Sequence, residues 1–202
     1  MTKIKLCGLS RQCDIETANE LKPEYIGFVF AQKSKRYVEL EKAVQLKQLL
    51  SSDIQTVGVF VDETPEVVAE LLNSGVIDVV QLHGREDKAY IERLRQHTDK
   101  PIIKAFQIKS QQDLTEAEHC TADYVLLDSG AGTGKVFDWT VLKNIRRPYF
   151  LAGGLSPDNA GEAIKLLHPF AVDVSSGIET DNLKDKEKAA AFIAAVRKEE
   201  QP

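Results

Sequence analysis

A closed (β/α)8 barrel, an α/β fold built as a single TIM-barrel domain, is predicted by three observations. First, eight short β-branched, apolar runs, at residues 3–8, 25–30, 55–61, 76–82, 101–105, 123–127, 149–152 and 171–174, alternate with longer amphipathic stretches. Second, most of these runs are almost continuously apolar, as in Thr56-Val57-Gly58-Val59-Phe60-Val61. That pattern suits strands buried on both faces of a parallel sheet. Third, reactive residue types fall just past strand ends along the whole chain. An open doubly wound sheet gathers its ligand at one switch point, whereas a barrel gathers the loops of all its strands at one mouth. The 202 residues suffice for one small barrel. No Pro/Gly/Ser-rich linker divides them, so one domain over 1–202 is expected, with 199–202 fraying as a charged tail.

The elements follow in order. The first strand ends at Cys7-Gly8, and the second opens into the basic loop Ala31-Gln32-Lys33-Ser34-Lys35-Arg36-Tyr37. A helix over 39–50 carries Leu40, Ala43, Val44, Leu46, Leu49 and Leu50 near a 3.6-residue repeat. Asp62 follows the third strand. Thr64-Pro65 then supplies an N-cap and a first helical residue, with Val67, Val68, Leu71 and Leu72 on one face and Gly75 at the end. Gln81-Leu82-His83-Gly84 closes the fourth strand. The apolar pattern is thinnest over 110–120. Asp138 is placed to cap a helix over 139–145, and Ser156-Pro157 gives a start signal before 160–167. The last helix, 185–198, is rich in Ala, with Phe192, Ile193 and Val196 on one side.

Composition narrows the function classes. Hydrophobic residues make up 43% and charged residues 28%, a folded globular balance. A net charge of -5 gives no reason to expect nucleic acid or an anionic membrane as partner. No stretch approaches the ~20 apolar residues of a membrane span, and the N-terminus does not read as a signal peptide. Cys7, Cys13 and Cys120 form no C-x-x-C pair, which argues against a disulfide framework or a zinc site. A reduced cytoplasmic protein is expected. His97, His119 and His168 show no metal-ligand spacing, and no metal is expected.

Several strand-end residues invite chemistry. Gly153-Gly154 and Ser175-Ser176-Gly177, after the seventh and eighth strands, are tight turns that let backbone N–H groups approach an anion. Together, on these two strands, they point to a phosphate site. Gly130-Ala131-Gly132-Thr133-Gly134-Lys135 fails the P-loop spacing, because Ser129 stands where the first Gly belongs and Val136 follows the Lys. It also fails the G-x-G-x-x-G turn, so an active-site loop is expected there instead. A lone cysteine such as Cys7 is more often an inert small core residue than a catalyst, but its intrinsic pKa of about 8.5 would suit a base. Asp128 serves as a loop-fixing carboxylate or, with its pKa raised beside a phosphorylated ligand, as an acid. Arg36, with Lys33 and Lys35 nearby, pairs with a substrate carboxylate or belongs to a solvated basic loop. His83 is expected to hydrogen-bond locally, with no proton-transfer role.

The segments Lys5-Leu6-Cys7-Gly8-Leu9-Ser10, Gly27-Phe28-Val29-Phe30, Ser34-Lys35-Arg36-Tyr37 and Val57-Gly58-Val59-Phe60-Val61 occur in a definite order. They continue as Val80-Gln81-Leu82-His83-Gly84, Leu127-Asp128-Ser129, Gly132-Thr133-Gly134 with Phe137-Asp138-Trp139, and Leu151-Ala152-Gly153-Gly154-Leu155. Val172-Asp173-Val174-Ser175-Ser176-Gly177-Ile178-Glu179 and Lys184-Asp185 close the series. In this order and spacing the chain resembles the phosphoribosylanthranilate isomerase family of tryptophan biosynthesis. The resemblance implies a (β/α)8 barrel that carries out an Amadori rearrangement without metal or organic cofactor. N-(5-phosphoribosyl)anthranilate would become 1-(2-carboxyphenylamino)-1-deoxy-D-ribulose 5-phosphate. It implies Cys7 as general base and Asp128 as general acid. Arg36 would hold the anthranilate carboxylate, and Gly153, Gly154, Ser175, Ser176 and Gly177 the phosphate. A small phosphorylated substrate is thus the expected partner, bound by a monomer or homodimer. The departures, Leu6 for Ile and Lys35 for Pro, leave these residues in place. Two other readings stand beside it. One is the histidine-pathway isomerase, whose family has an aspartate where this chain has Cys7 and an internal repeat not found here. The other is a barrel that binds a phosphorylated metabolite without turnover.

Overall fold

The computed structural model of the chain describes residues 1–128 and 139–199. Its eight barrel strands are β1 (Lys3–Cys7), β2 (Tyr25–Val29), β3 (Gln55–Phe60), β4 (Val79–Leu82), β5 (Ile102–Gln107), β6 (Tyr124–Asp128), β7 (Tyr149–Ala152) and β8 (Ala171–Val174). They pair in parallel in sequence order, and β8 closes on β1 with Lys5 opposite Asp173. The helices are α1 (Gln12–Leu21), α2 (Leu40–Leu49), α3 (Pro65–Asn73), α4 (Lys88–Arg95), α5 (Gln111–Glu118), α6 (Ala160–Leu167) and α7 (Lys186–Lys198).

The period of two along a strand explains the double burial. One set of side chains, including Ile4, Leu6, Ile26, Phe28, Val80, Leu82, Leu127, Leu151 and Val172, packs outward against the helices. The alternate set, Tyr25, Val57, Val79, Ile103, Leu126, Phe150 and Ala171, fills the lumen. Phe150 anchors that inner cluster through edge contacts with Tyr25 at 5.5 Å and Tyr124 at 5.8 Å between ring centroids. Nearer the mouth the same lumen-facing parity delivers Cys7, Val29 and Val59.

The structure corrects several boundaries. Val76 and Ile77 are buried but precede β4. Asp78 turns the chain there, its carboxylate accepting from the Thr56 backbone N–H at 2.8 Å and from Lys47 at 2.6 Å. An apolar run and a strand are therefore not the same segment here. β5 runs on to Gln107, which pairs with Asp128. The connection from β6 to β7 contains, among its described residues, a 3-10 helix (Trp139–Asn144) rather than an eighth α-helix. The expected Asp138 cap and the expected loop at 130–135 lie outside the described residues.

Ser156 does not cap α6. Asn159 precedes that helix, and its side-chain oxygen accepts from the Ser156 N–H at 2.8 Å, closing a turn. Thr64 and Pro65 stand where expected, although the Thr64 hydroxyl makes no cap bond. α5 offsets its thin apolar face, Leu114 and Ala117, with a reciprocal Ser110/Asp113 capping box.

After β8 comes a short 3-10 helix (Ser176–Ile178) and an antiparallel hairpin of β9 (Glu179–Thr180) and β10 (Leu183–Lys184). Asp181 and Asn182 take φ of 53° and 63°, the two positive values a tight two-residue hairpin requires. The hairpin places Lys184 opposite Glu179. No helix among the described residues is long and apolar enough to cross a membrane.

Candidate active site

At the C-terminal ends of the strands lies a cavity of about 500 Å³. Its wall takes one residue or more from every strand or the loop after it: Cys7, Val29, Ala31, Val59, Val61, Gln81, His83, Gln107, Asp128, Ala152, Asp173 and Ser175. Each continues the lumen-facing parity of its strand, which is why residues so far apart in sequence meet. Ser34, Arg36, Gly153, Gly154, Leu155 and Ser176 complete the wall. A larger groove of about 610 Å³ runs along the barrel's outside by Lys88, Glu116 and His119. Of these two, the mouth cavity collects all the strand ends, so the chemistry is assigned there.

Cys7 is 8% exposed. Gly27 faces it across the β1–β2 pairing, and a Cβ on residue 27 would stand 2.8 Å from the Cys7 sulfur. Glycine at this lumen position therefore makes room for the thiol. Burial pushes the Cys7 thiol up, against the pull of Lys5 and Lys184. Asp128, the last residue of β6, reaches the same cavity as the lumen-facing successor of Tyr124 and Leu126.

Arg36 is not a solvated loop cation. It forms a bidentate pair with Glu179, Nε to Oε1 at 2.6 Å and Nη2 to Oε2 at 2.8 Å. Lys184 donates to the same Glu179 Oε1 at 2.6 Å and to the Ser175 carbonyl at 3.0 Å. Burial opposes the Glu179 charge, but Arg36 and Lys184 overcome it and hold the carboxyl at about 2. A depressed carboxyl of this kind adds stability above its ordinary value of 4.5, lost as pH falls towards about 2. Lys35 of the same loop bonds Asn182 in the β9–β10 turn.

The loops after β7 and β8 interlock. Gly153 and Gly154 have φ of 91° and 65°. Ser175 donates its hydroxyl to the Cys7 carbonyl at 3.0 Å, tying this loop to β1. Gly177 does not line the cavity. It sits behind it, where a Cβ would lie 1.9 Å from the Leu155 carbonyl oxygen, so the two loops close on one another only with glycine at 177.

His83 bonds the Gln81 side-chain amide through Nδ1 at 2.9 Å, the local role expected of it, and burial lowers its pKa. Asp62 is drawn away from the mouth. It accepts from the Arg85 backbone N–H at 2.6 Å and from its guanidinium at 3.0 Å. Among the described residues no group of three or more His, Cys, Asp or Glu side chains could hold a metal ion.

Reading strand ends and loops passed over Lys5, Asp173 and Lys184, and took Glu179 only as the end of the loop after β8, without its pairing to Arg36 and Lys184. Lys5 and Asp173 carried a usable signal, an ionisable residue at a lumen-facing position of a strand. Glu179 and Lys184 carried none, because the hairpin that joins them is not written in an apolar pattern.

Fold and site together define a (β/α)8-barrel enzyme with its ionisable groups gathered at the strand C-terminal mouth, beside two interlocked loops suited to an anion. The family model for N-(5'phosphoribosyl)anthranilate (PRA) isomerase matches residues 4–195. The chain belongs to this family. Among similar proteins, the N-(5'-phosphoribosyl)anthranilate isomerase of Endomicrobium trichonymphae is 44% identical over 202 residues, covering 98% of this chain and 99% of that one. The crystal structure of phosphoribosyl anthranilate isomerase from Thermotoga maritima superposes with a TM-score of 0.89 at 33% identity, covering 98% of this chain and 100% of that one. A second isomerase structure, in complex with reduced 1-(o-carboxyphenylamino)-1-deoxyribulose 5-phosphate, gives a TM-score of 0.87 at 32% identity, with 98% and 100% coverage.

Proposed function

We propose that this barrel isomerises N-(5'-phosphoribosyl)anthranilate to the corresponding aminodeoxyribulose phosphate in tryptophan biosynthesis, with Cys7 as general base and Asp128 as general acid. The observation that carries the reading is that Cys7, Asp128, Arg36 and the β7 and β8 loops line one cavity of about 500 Å³. The product analogue in the second neighbour has a phosphate at one end and a carboxylate at the other. Anionic ends of that kind suit the β7–β8 loops and Arg36.

Asp128 protonates the furanose ring oxygen, opening the ring to an iminium. Cys7 removes the C2′ proton, giving an enolamine that tautomerises to the ketone. The iminium acidifies C2′ enough for a thiolate, and the substrate nitrogen is the electron sink, so no cofactor is required. Glu179 uses the Nε–H and one Nη2–H of Arg36, leaving three of its five N–H donors for the carboxylate. The Glu179 pair also fixes the guanidinium plane, which lowers the ordering cost of binding. The phosphate sits against backbone N–H groups of Gly153, Gly154, Ser175 and Ser176, and Gly177 packs the β8 loop against Leu155 behind them. We take residues 1–202 as one barrel domain acting as a monomer or homodimer in the reducing cytoplasm, a setting that suits its three free cysteines.

The test is to generate phosphoribosylanthranilate in situ and follow the loss of its fluorescence. Sustained turnover is expected. A well-folded protein that gives none sinks the reading in favour of the histidine-pathway aminoaldose or binding without turnover. The loop assignment has its own check. Gly177→Ala forces the β8 loop off Leu155, and a displacement on the order of 1 Å lowers kcat/KM by about 10²-fold. Protection by inorganic phosphate against thermal unfolding should weaken in the same variant. Unchanged kcat/KM and unchanged protection would remove this segment from the phosphate site.

A further inference from the structure

Lys5 is 0% exposed, two residues before Cys7 on the same lumen-facing side of β1. Its ammonium donates to Asp173 Oδ1 at 2.9 Å, across the β1–β8 pairing that closes the barrel. Below this pair the lumen is the apolar cluster of Tyr25, Val57, Val79 and Phe150. Above it is the cavity that Cys7 and Asp173 both line. The pair thus stands at the boundary between packed core and site.

Ion pairs in such places are weak sources of stability, since well-packed apolar residues commonly serve as well or better. The pair therefore calls for a role other than holding the barrel shut. Its hydrogen bonding supplies one. Asp173 takes one of the three Lys5 N–H donors, and among the described residues no further acceptor oxygen bonds the others. The second cation near the thiol, Lys184, is differently placed. It already donates to the Ser175 carbonyl, the Ser175 hydroxyl and Glu179.

We infer that Lys5 is a positioning residue of this active site: held beneath Cys7 by Asp173, it is the built-in counter-ion of the Cys7 thiolate. The inference rests on the reading of Cys7 as base, for which a buried thiol must give up its proton before it can act. A buried thiolate without a cation would be strongly disfavoured. Asp173 keeps Lys5 protonated where burial alone would favour the neutral amine. The charged and titratable groups facing Cys7 are Lys5 on its own strand, Arg36 after β2, Asp173 on β8 and Lys184 on β10. His83 on β4 and Asp128 on β6 share the cavity. β3 and β7 contribute only Val59, Val61 and Ala152, and β5 contributes Gln107. Among the cations, Lys5 acts most strongly on the thiol, by charge and as a donor.

The experiment uses the full chain with Cys13→Ser and Cys120→Ser, leaving Cys7 as its one thiol. The rate of iodoacetamide alkylation is measured against pH. With Lys5→Met the titration midpoint moves up, and alkylation near pH 7 falls about tenfold or more, the scale of losing an opposite charge at close range. Lys5→Arg restores most of it. Because Lys5→Met leaves the partly buried Asp173 without its partner and so risks the fold, Lys5→Met/Asp173→Asn is measured beside it. Its midpoint is also expected above that of the parent, because it too lacks a cation beneath the thiol. Parent-like midpoints in both variants would overturn the proposal and leave Lys5–Asp173 as structural. If Cys7→Ser instead kept full turnover, the base reading would fail, while the alkylation profiles would still report on Lys5.

Discussion

Cys7→Ser and Asp128→Asn are each expected to lower kcat by about 10²–10⁴-fold, the contribution of a positioned base or acid. Both changes nearly preserve shape, so the loss would come from chemistry. Serine has no accessible anion at neutral pH. Asparagine keeps the planar head of Asp128 but has no acidic proton to give. KM should change far less than kcat, because neither residue is assigned to the phosphate or the carboxylate end. The measurement is a steady-state assay of both variants, with circular dichroism to establish folding. A folded variant within about threefold of the parent kcat would strip that residue of its role and leave the other assignment standing. The double variant should lose little more than the worse single one, since groups that act as one unit are not additive.

The second large effect concerns stability. Lys104 lies on the helix-facing side of β5 and is almost fully buried, as is its partner Glu86 at 2.9 Å. Lys104 also donates to the Gly84 carbonyl at 2.7 Å, and Glu86 accepts from the backbone N–H groups of Asp62 and Gly84. The pair therefore braces the ends of β3 and β4, just behind His83. Lys104→Met leaves the Glu86 carboxylate buried without its cation, a loss of about 3–5 kcal/mol. For a chain of this size that lowers Tm by about 10 °C or more. Lys104→Met/Glu86→Gln should recover more than about 1 kcal/mol, because removing the stranded charge removes part of the penalty. Thermal and urea unfolding of the three variants would check this. A Lys104→Met protein within about 1 kcal/mol of the parent would show that water or a rearranged loop supplies what Lys104 does.

The sequence by itself determined the class of fold and most of the residues that line the candidate site. Alternating apolar runs and amphipathic stretches are a local property, and the double burial of a parallel barrel writes itself into consecutive apolar residues such as those of β3. Cys7, Arg36, Asp128, Gly153, Gly154, Ser175 and Ser176 were legible because they sit at or just past strand ends, and the structure gathers all seven around one cavity. Local pattern misled where burial and pairing part company. Val76 and Ile77 are core residues ahead of a strand, and Ser156 resembles a helix cap while serving a turn that Asn159 closes.

Only the tertiary structure decided what those residues meet. Which face of β1 looks into the lumen follows from register, and register follows from closing the barrel with Lys5 opposite Asp173. That closure puts an ion pair under Cys7. The Arg36–Glu179 fork spans 143 residues and depends on a hairpin with no strong sequence signal. Gly177 looks like a loop glycine until the Leu155 carbonyl is seen against it. The physical reason is common to all three. Secondary structure reflects neighbours within a few residues, whereas the charge, hydrogen-bond partners and space around a catalytic group come from other strands, set by how the barrel closes.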